Sequence, residues 1–278
     1  MLDPVDLPLT RALASRLVVL DEAVSTNDVL VASAAGDEPH LTTVLTLNQT
    51  GGRGRMGRVW AAPPGRTLAV SVLIRPVLPG GSRLGIESFG WLPLIAGAAM
   101  TRAVDSLLGG GRTRLKWPND VQVDGRKICG VLAELVAAGD AVIVGAGVNL
   151  FLDEGELPVP TATSLALAGA IAALEPGAAD SPDTLVDTLT SRYLGTMGEL
   201  LDQFLGAGGD SRASGIRRLV SEWCSTLGSE VRVELPGGTD IVGTAVGIDD
   251  TGRLVVRHGP DAQLQAVAAG DVTHLRYE

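Results

Sequence analysis

The sequence of 278 residues is poor in several residue types, and each shortage excludes a class of function. It has two cysteines, Cys129 and Cys224, far apart in the chain. They form neither a disulfide framework nor a zinc-ligand spacing, so a reducing compartment is expected. The three histidines, His40, His258 and His274, lie outside every segment that carries other chemistry, and no Ser-His-Asp arrangement is readable. The most apolar stretches, 94–100 and 165–174, fall well short of the roughly 18–20 residues that span a bilayer. Asp3 and Asp6 stand where a secretory leader would be basic, so no signal peptide and a cytoplasmic location are expected. Positive charge is also scarce. Lys and Arg together number 22 against 32 Asp and Glu, a net charge of −10, which argues against a general nucleic-acid binder.

Lysine is the scarcest cation. All but two of the 22 basic side chains are arginine, and the two exceptions are Lys116 and Lys127. An ammonium is a compact point charge that a guanidinium does not imitate, so both positions are candidates for function.

What is present describes a folded protein. Hydrophobic residues make up 45% and charged residues 19%, enough to bury a core in one large domain or two smaller ones. Ser25 is placed to cap a helix with Asp28 in the capping-box position, and Val24 and Val29 are spaced as a hydrophobic staple. Segments 41–47 and 67–74 read as strands, flanking a glycine- and arginine-rich loop at 51–58 and an irregular stretch at 60–64. Residues 92–108 carry helical spacing and end at Gly109-Gly110-Gly111. Short strands follow at 114–117, 121–123, 128–136 and 141–148, with Asp124-Gly125 marking a hairpin. Segments 164–174, 182–205 and 216–227 read as helices. After Gly228 come four short strands, 231–235, 241–248, 254–257 and 264–267, at the spacing of a small barrel of about 50 residues. The expected units are therefore 1–226 and 228–278.

Three constellations carry chemistry. Gly52-Arg53-Gly54-Arg55-Met56-Gly57 matches a dinucleotide fingerprint in letters only, because Trp60 and Pro63-Pro64 follow where a helix should start. Arg53, Arg55 and Arg58 alternating with glycine describe a local anion site instead. Lys116-Trp117-Pro118-Asn119-Asp120, followed by Lys127, puts both lysines into one hairpin and its lead-in strand. Gly145 and Gly147 weaken a buried strand unless something approaches its backbone, and Asn149 ends that strand with amide donors and acceptors. Cys129 reads as core.

Together these segments resemble the biotin protein ligases. The resemblance rests on Ser25-Thr26-Asn27, on Gln49 through Arg58, on Lys116 through Asp120, on Lys127 through Glu134 and on Gly145 through Asn149, in the family's order over roughly residues 20–170. It implies an α+β fold: a mixed sheet with flanking helices like that of class II aminoacyl-tRNA synthetases, with an SH3-like small β-barrel at the C-terminus. It implies ATP-dependent activation of biotin as biotinyl-5′-AMP. Transfer to a lysine of the biotin carboxyl carrier domain of acyl-CoA carboxylases follows. Some members carry an N-terminal DNA-binding domain; with motifs beginning at residue 25, none is expected here, nor any nucleic-acid or membrane partner. A monomer or a homodimer fits equally.

By resemblance, Ser25, Thr26, Asn27, Gln49, Arg53, Gly54, Arg55 and Lys127 bind biotin. Arg55, Arg58, Trp60, Lys116, Asn119 and Asn149 bind ATP and the adenylate. Lys127, Arg53 and Asp120 are the catalytic candidates, Arg53, Arg55 and Lys127 neutralising the reacting anions and Asp120 serving the acceptor amine. Mg²⁺ is expected on the phosphates and not in a dedicated protein site. Met56 departs from the basic or polar residue of some relatives, and the aromatic content of 3% implies an aliphatic adenine pocket. The rival readings are a lipoate or octanoyl ligase of the same fold, a biotin-binding module without turnover, and a DNA-binding repressor.

Overall fold

The computed structural model describes residues 7–34, 36–137, 139–170, 182–235, 240–268 and 270–275. The first nine strands are β1 (Arg16–Leu20), β2 (Thr42–Thr46), β3 (Gly52–Arg53), β4 (Val59–Trp60), β5 (Thr67–Ile74), β6 (Thr113–Lys116), β7 (Asp120–Val123), β8 (Arg126–Leu135) and β9 (Val142–Asn149). Seven of them form one sheet in the order β1-β2-β5-β9-β8-β7-β6. β1 and β2 run parallel and the other neighbours antiparallel, so the sheet is mixed. Helices α1 (Pro8–Leu13), α2 (Thr26–Ser33), α3 (Trp91–Leu107), α4 (Pro182–Gly206) and α5 (Ile216–Trp223) flank it.

β5 is buried along its whole length because both faces of the sheet are covered, which is why it reads as a nearly continuous apolar run. Its alternate residues serve different layers. Leu68, Val70, Val72 and Ile74 join Val142, Val144, Ala146 and Val148 of β9 in the main core under α3 and α4. On the opposite face Leu73 and Ile143 pack under α2 with Leu30. The same face continues through Ser71 opposite Gly145 and Ala69 opposite Gly147 on one side of β9. On its other side Leu132 stands opposite Gly145, Gly130 opposite Gly147, and Glu134 opposite Ile143. Ala69, Gly130, Gly145 and Gly147 among these leave a hollow beyond the end of α2.

α3 is Ala-rich and buried along most of its length, so that Gly97 can lie against Leu115 of β6. It ends at Gly109, whose φ of +79° takes the left-handed position. Asp105 secures the exit by accepting hydrogen bonds from the backbone N–H groups of Gly111, Arg112 and Thr113 at 3.0–3.1 Å. Asp105→Ala leaves these donors without their acceptor. It should cost about 2–3 kcal/mol in urea unfolding with an unchanged m-value. Asp187 of α4 acts similarly from a distance, accepting from Leu9 N at 3.0 Å and Thr10 N at 2.7 Å at the start of α1.

Strands β10 (Glu230–Glu234), β11 (Asp240–Ile248), β12 (Leu254–His258), β13 (Gln263–Val267) and β14 (Asp271–His274) form a second, antiparallel sheet in the order β13-β12-β11-β10-β14. A bulge between Ala245 and Gly247 bends β11. The turn between β11 and β12 is fastened to the first sheet's layers. The Trp91 indole N–H donates to Asp250 O at 2.8 Å and that of Trp117 to Gly252 O at 3.1 Å. Gly252 has φ +87°, and a Cβ there would lie 2.9 Å from the Gly90 backbone.

Several elements differ from the sequence reading. α1, β1 and β14 were not foreseen. The loop at 51–58 and the stretch after it instead pair, β3 with β4, as a small hairpin. Val24 is 67% exposed, so the staple's outer residue is left in solvent. Residues 164–170 form turns, and the remainder of the helix expected at 164–174 lies outside the described residues. Among the described residues, no helix is long and apolar enough to cross a membrane.

Candidate active site

The hollow is a cleft of about 480 Å³ on the α2 face of the sheet. All the candidates named from the sequence line it: Ser25, Thr26, Asn27, Gln49, Arg53, Gly54, Arg55, Arg58, Trp60, Lys116, Asn119, Asp120, Lys127 and Asn149. They arrive from elements far apart in the chain, and they sort into two groups.

The first group is neutral and already connected. Ser25 caps α2, its Oγ accepting from Asp28 N at 3.3 Å. That places Thr26 and Asn27 in the first turn. Gln49 Oε1 accepts from Thr26 N at 2.9 Å and Thr26 Oγ1 at 3.2 Å. Ser71 Oγ lies 2.7 Å from Thr26 Oγ1 and 2.6 Å from Asn27 Oδ1. Ser71 was missed in the sequence, although it is the one hydroxyl inside the apolar run of β5 after its first residue. Gly145 allows this arrangement, since a Cβ there would collide with the Asn27 amide.

The second group is cationic. Lys116 ends β6 directly opposite Asp120 at the start of β7. Lys127 Nζ lies 2.6 Å from Asp120 Oδ1, so a lysine at the head of an apolar strand does have its counter-ion. The same ammonium packs over Gly130 and lies 5.7 Å from the centre of the Trp60 ring. Arg55 Nη1 donates to Asn119 Oδ1 at 3.1 Å, and Asn119 Nδ2 to Val131 O at 2.9 Å. Burial pushes the Lys116 ammonium below the usual lysine range; Asp120 opposes the shift, while Lys127 and Arg58 add to it. Burial likewise lowers Arg55, with Asp120 opposing and Arg58 reinforcing.

Two sequence expectations take a different form. Arg53 was expected to neutralise the reacting anions; its guanidinium is half-exposed and already paired with two carboxylates. It donates to both Asp28 oxygens at 2.6 and 2.7 Å and to both Glu134 oxygens at 3.1 and 3.2 Å. The Asp28 hydrogen bonds are the main cause of its raised pKa. The close approach expected at Gly147 comes from Trp60, since a Cβ there would lie 2.6 Å from the indole. Asn149 spends one amide N–H on Thr163 O at 2.9 Å. Cys129 is fully buried and its thiol is pushed up by burial, which suits a core residue.

Other lining residues had no sequence signal. Pro158, Val159, Thr161 and Ala162 reach the cleft because the Lys127 backbone bonds to Thr161 O and Thr163 N, each at 2.8 Å. Glu234, Val272 and Thr273 come from the second sheet. Among the described residues, no group of three or more His, Cys, Asp and Glu is placed to hold a metal ion.

A neutral donor–acceptor pocket thus lies beside a cationic one, on a mixed sheet followed by an antiparallel C-terminal sheet. Comparison with known proteins makes this specific. The model of the biotin/lipoate A/B protein ligase family matches residues 24–149, and that of the biotin protein ligase C-terminal domain matches 226–275. The biotin–[acetyl-CoA-carboxylase] ligase of Mycobacterium tuberculosis is 38% identical over 264 residues, covering 94% of this chain and 90% of that protein. Among solved structures, the Aquifex aeolicus biotin protein ligase in complex with biotin and ATP aligns with a TM-score of 0.69. The two are 26% identical over 95% of this chain and 100% of that one. The Leishmania major biotin protein ligase in complex with biotinyl-5-AMP aligns at 0.57, 26% identical over 92% and 99%. The chain belongs to the biotin/lipoate A/B protein ligase family, among its biotin protein ligases.

Proposed function

We propose that the chain activates biotin with ATP and transfers it to a lysine of the biotin carboxyl carrier domain of acyl-CoA carboxylases. The observation that carries this reading is the division of one cleft into a neutral and a cationic end. Biotin has the same division: a ureido ring that needs uncharged donors and acceptors, and a carboxylate that must meet a polyphosphate. Ser25, Thr26, Asn27 and Gln49 receive the ring, and Ala69, Gly145 and Gly147 give it room. The carboxylate extends toward Lys127 and Arg55. ATP lies along Arg55, Arg58, Lys116, Asn119 and Asn149, with Mg²⁺ arriving on its phosphates as part of the substrate. Trp60 covers the reacting atoms.

In the first step a carboxylate oxygen attacks the α-phosphorus, the bond to the β-phosphate oxygen breaks, and pyrophosphate leaves. Both reactants are anions, so fixed cations lower the barrier by offsetting their repulsion. Lys127, Lys116 and Arg55 supply them; Arg53, held by two carboxylates, serves to shape the ring's end. In the second step the acceptor amine attacks the carbonyl carbon, AMP leaves, and the amine's proton passes to Asp120. We assign residues 1–226 to the catalytic unit and 228–278 to the C-terminal unit, and place the reaction in the cytoplasm, where two free thiols persist.

The test is exchange of labelled pyrophosphate into ATP by the purified chain, with biotin or lipoate as the acid. Biotin-dependent exchange with little response to lipoate is expected. Exchange with lipoate alone would move the chain to the other branch of the family, and a folded protein that binds biotin without exchange would be a binding module.

A further inference from the structure

Glu134 does not line the cleft, yet it touches two residues that do. It lies on the cleft face of β8, opposite Ile143, behind the wall formed by Asn27 and Arg53. Its Oε2 accepts from Asn27 Nδ2 at 2.5 Å, and both of its oxygens accept from Arg53 Nη2.

An ionised carboxylate has acceptors only, so the Asn27 group that faces it must be the NH₂. The amide oxygen is thereby turned to Ser71, 2.6 Å away. Ser71 has one proton and gives it to that oxygen. The short contact between Ser71 and Thr26 must then use the Thr26 hydroxyl proton, or leave that proton to Gln49 Oε1. One carboxylate outside the cleft therefore sets which way the Asn27 amide faces and makes Ser71, just behind the lining, the donor to it. With Asp28 it also pairs the half-exposed Arg53, so the guanidinium nearest the neutral group is already met by two carboxylates.

We infer that Glu134 is a positioning residue that commits the Asn27 end of the cleft to a neutral ureido ring and directs the acid's carboxylate to the Lys127 end. The inference rests on the reading of the cleft as a biotin site. Removing the charge leaves the Asn27 amide able to turn over and loosens one side of Arg53. In Glu134→Gln the new amide also places donors against a guanidinium that has only donors.

The experiment is pyrophosphate exchange with the full chain, carrying Glu134→Gln, Asn27→Ala, or both. Glu134→Gln should raise KM for biotin about tenfold, the equivalent of one charge-assisted hydrogen bond, with kcat and KM for ATP within about twofold of the parent. In the Asn27→Ala background the same change should add less than about twofold, because its main route of action is gone. Glu134→Ala should give the same split and serves if the glutamine variant does not fold. An unchanged KM for biotin overturns the inference. So does an equal effect with and without Asn27, or a parallel rise in KM for ATP, which would mark general loosening. Absence of biotin-dependent exchange in the parent chain would instead sink the functional reading beneath it.

Discussion

Lys127→Met is expected to lower biotin-dependent pyrophosphate exchange by about a thousandfold while the protein stays folded. The ammonium stands at the meeting point of the cleft's two ends, 2.6 Å from Asp120 and over Gly130 beneath the Trp60 ring. A fixed charge where two anions converge stabilises the transition state far more than the resting protein, and deleting one such donor costs about 10²–10³ in rate. Its contribution to stability is smaller. Lys127 keeps 32% and Asp120 22% of the side chain exposed, so solvent screens the pair. The thermal midpoint should move by no more than about 4 °C. Lys127→Arg should fail to restore activity, because a planar, delocalised guanidinium does not reproduce the point charge of the ammonium beside Asp120 and Gly130. Single-turnover adenylate formation together with a melting curve checks both statements, and parallel loss of fold and activity would refute the assignment.

Asp120→Asn should divide the two half-reactions. Transfer from preformed biotinyl adenylate to the carrier domain should fall by about a hundredfold, the usual share of a positioned base. Adenylation should fall by about tenfold or less, since Lys127 keeps its charge. The variant's transfer rate should also climb about tenfold per pH unit between about pH 7 and 9, because only the rare neutral form of a lysine attacks unaided. The parent enzyme should depend on pH less steeply. Lys116 bears on the same measurement. Asp120 supports its protonation against burial, so the substitution lowers the Lys116 pKa further and weakens phosphate binding on the alkaline side. Saturating ATP removes that contribution. Equal transfer by both proteins would rule out Asp120 as the base.

Much of this was readable in the sequence, for local reasons. Asp124-Gly125 specified a tight hairpin, and the two residues adopt φ of +49° and +78°. The 3.6-residue spacing of α3 and the glycines behind it set that helix within a residue at either end. The lysines stood out because the rest of the chain avoids lysine. What escaped depends on partners distant in the chain. β1 and β14 are short edge strands whose identity comes from the neighbour they pair with. Ser71 looked like one polar residue in a buried strand until Thr26 and Asn27 came to meet it. Nothing in Gly52-Arg53-Gly54 announces that Arg53 meets Asp28, 25 positions earlier, and Glu134, 81 positions later. The cleft lining from Glu234, Val272 and Thr273 depends on how the second sheet is seated, which no local pattern records.

That seating has a consequence for how the molecule comes apart. Two indole N–H groups, buried in the layers of the first sheet, have their acceptors on one turn of the second. Excising the C-terminal unit would exchange both hydrogen bonds for water and uncover the faces of Trp91 and Trp117, and the apolar indole surface so exposed carries most of the cost. The seam near residue 227 is thus a division of architecture without being a division of cohesion. The chain should melt in a single cooperative event, and a truncated first unit should behave as a broken protein, not as a smaller enzyme.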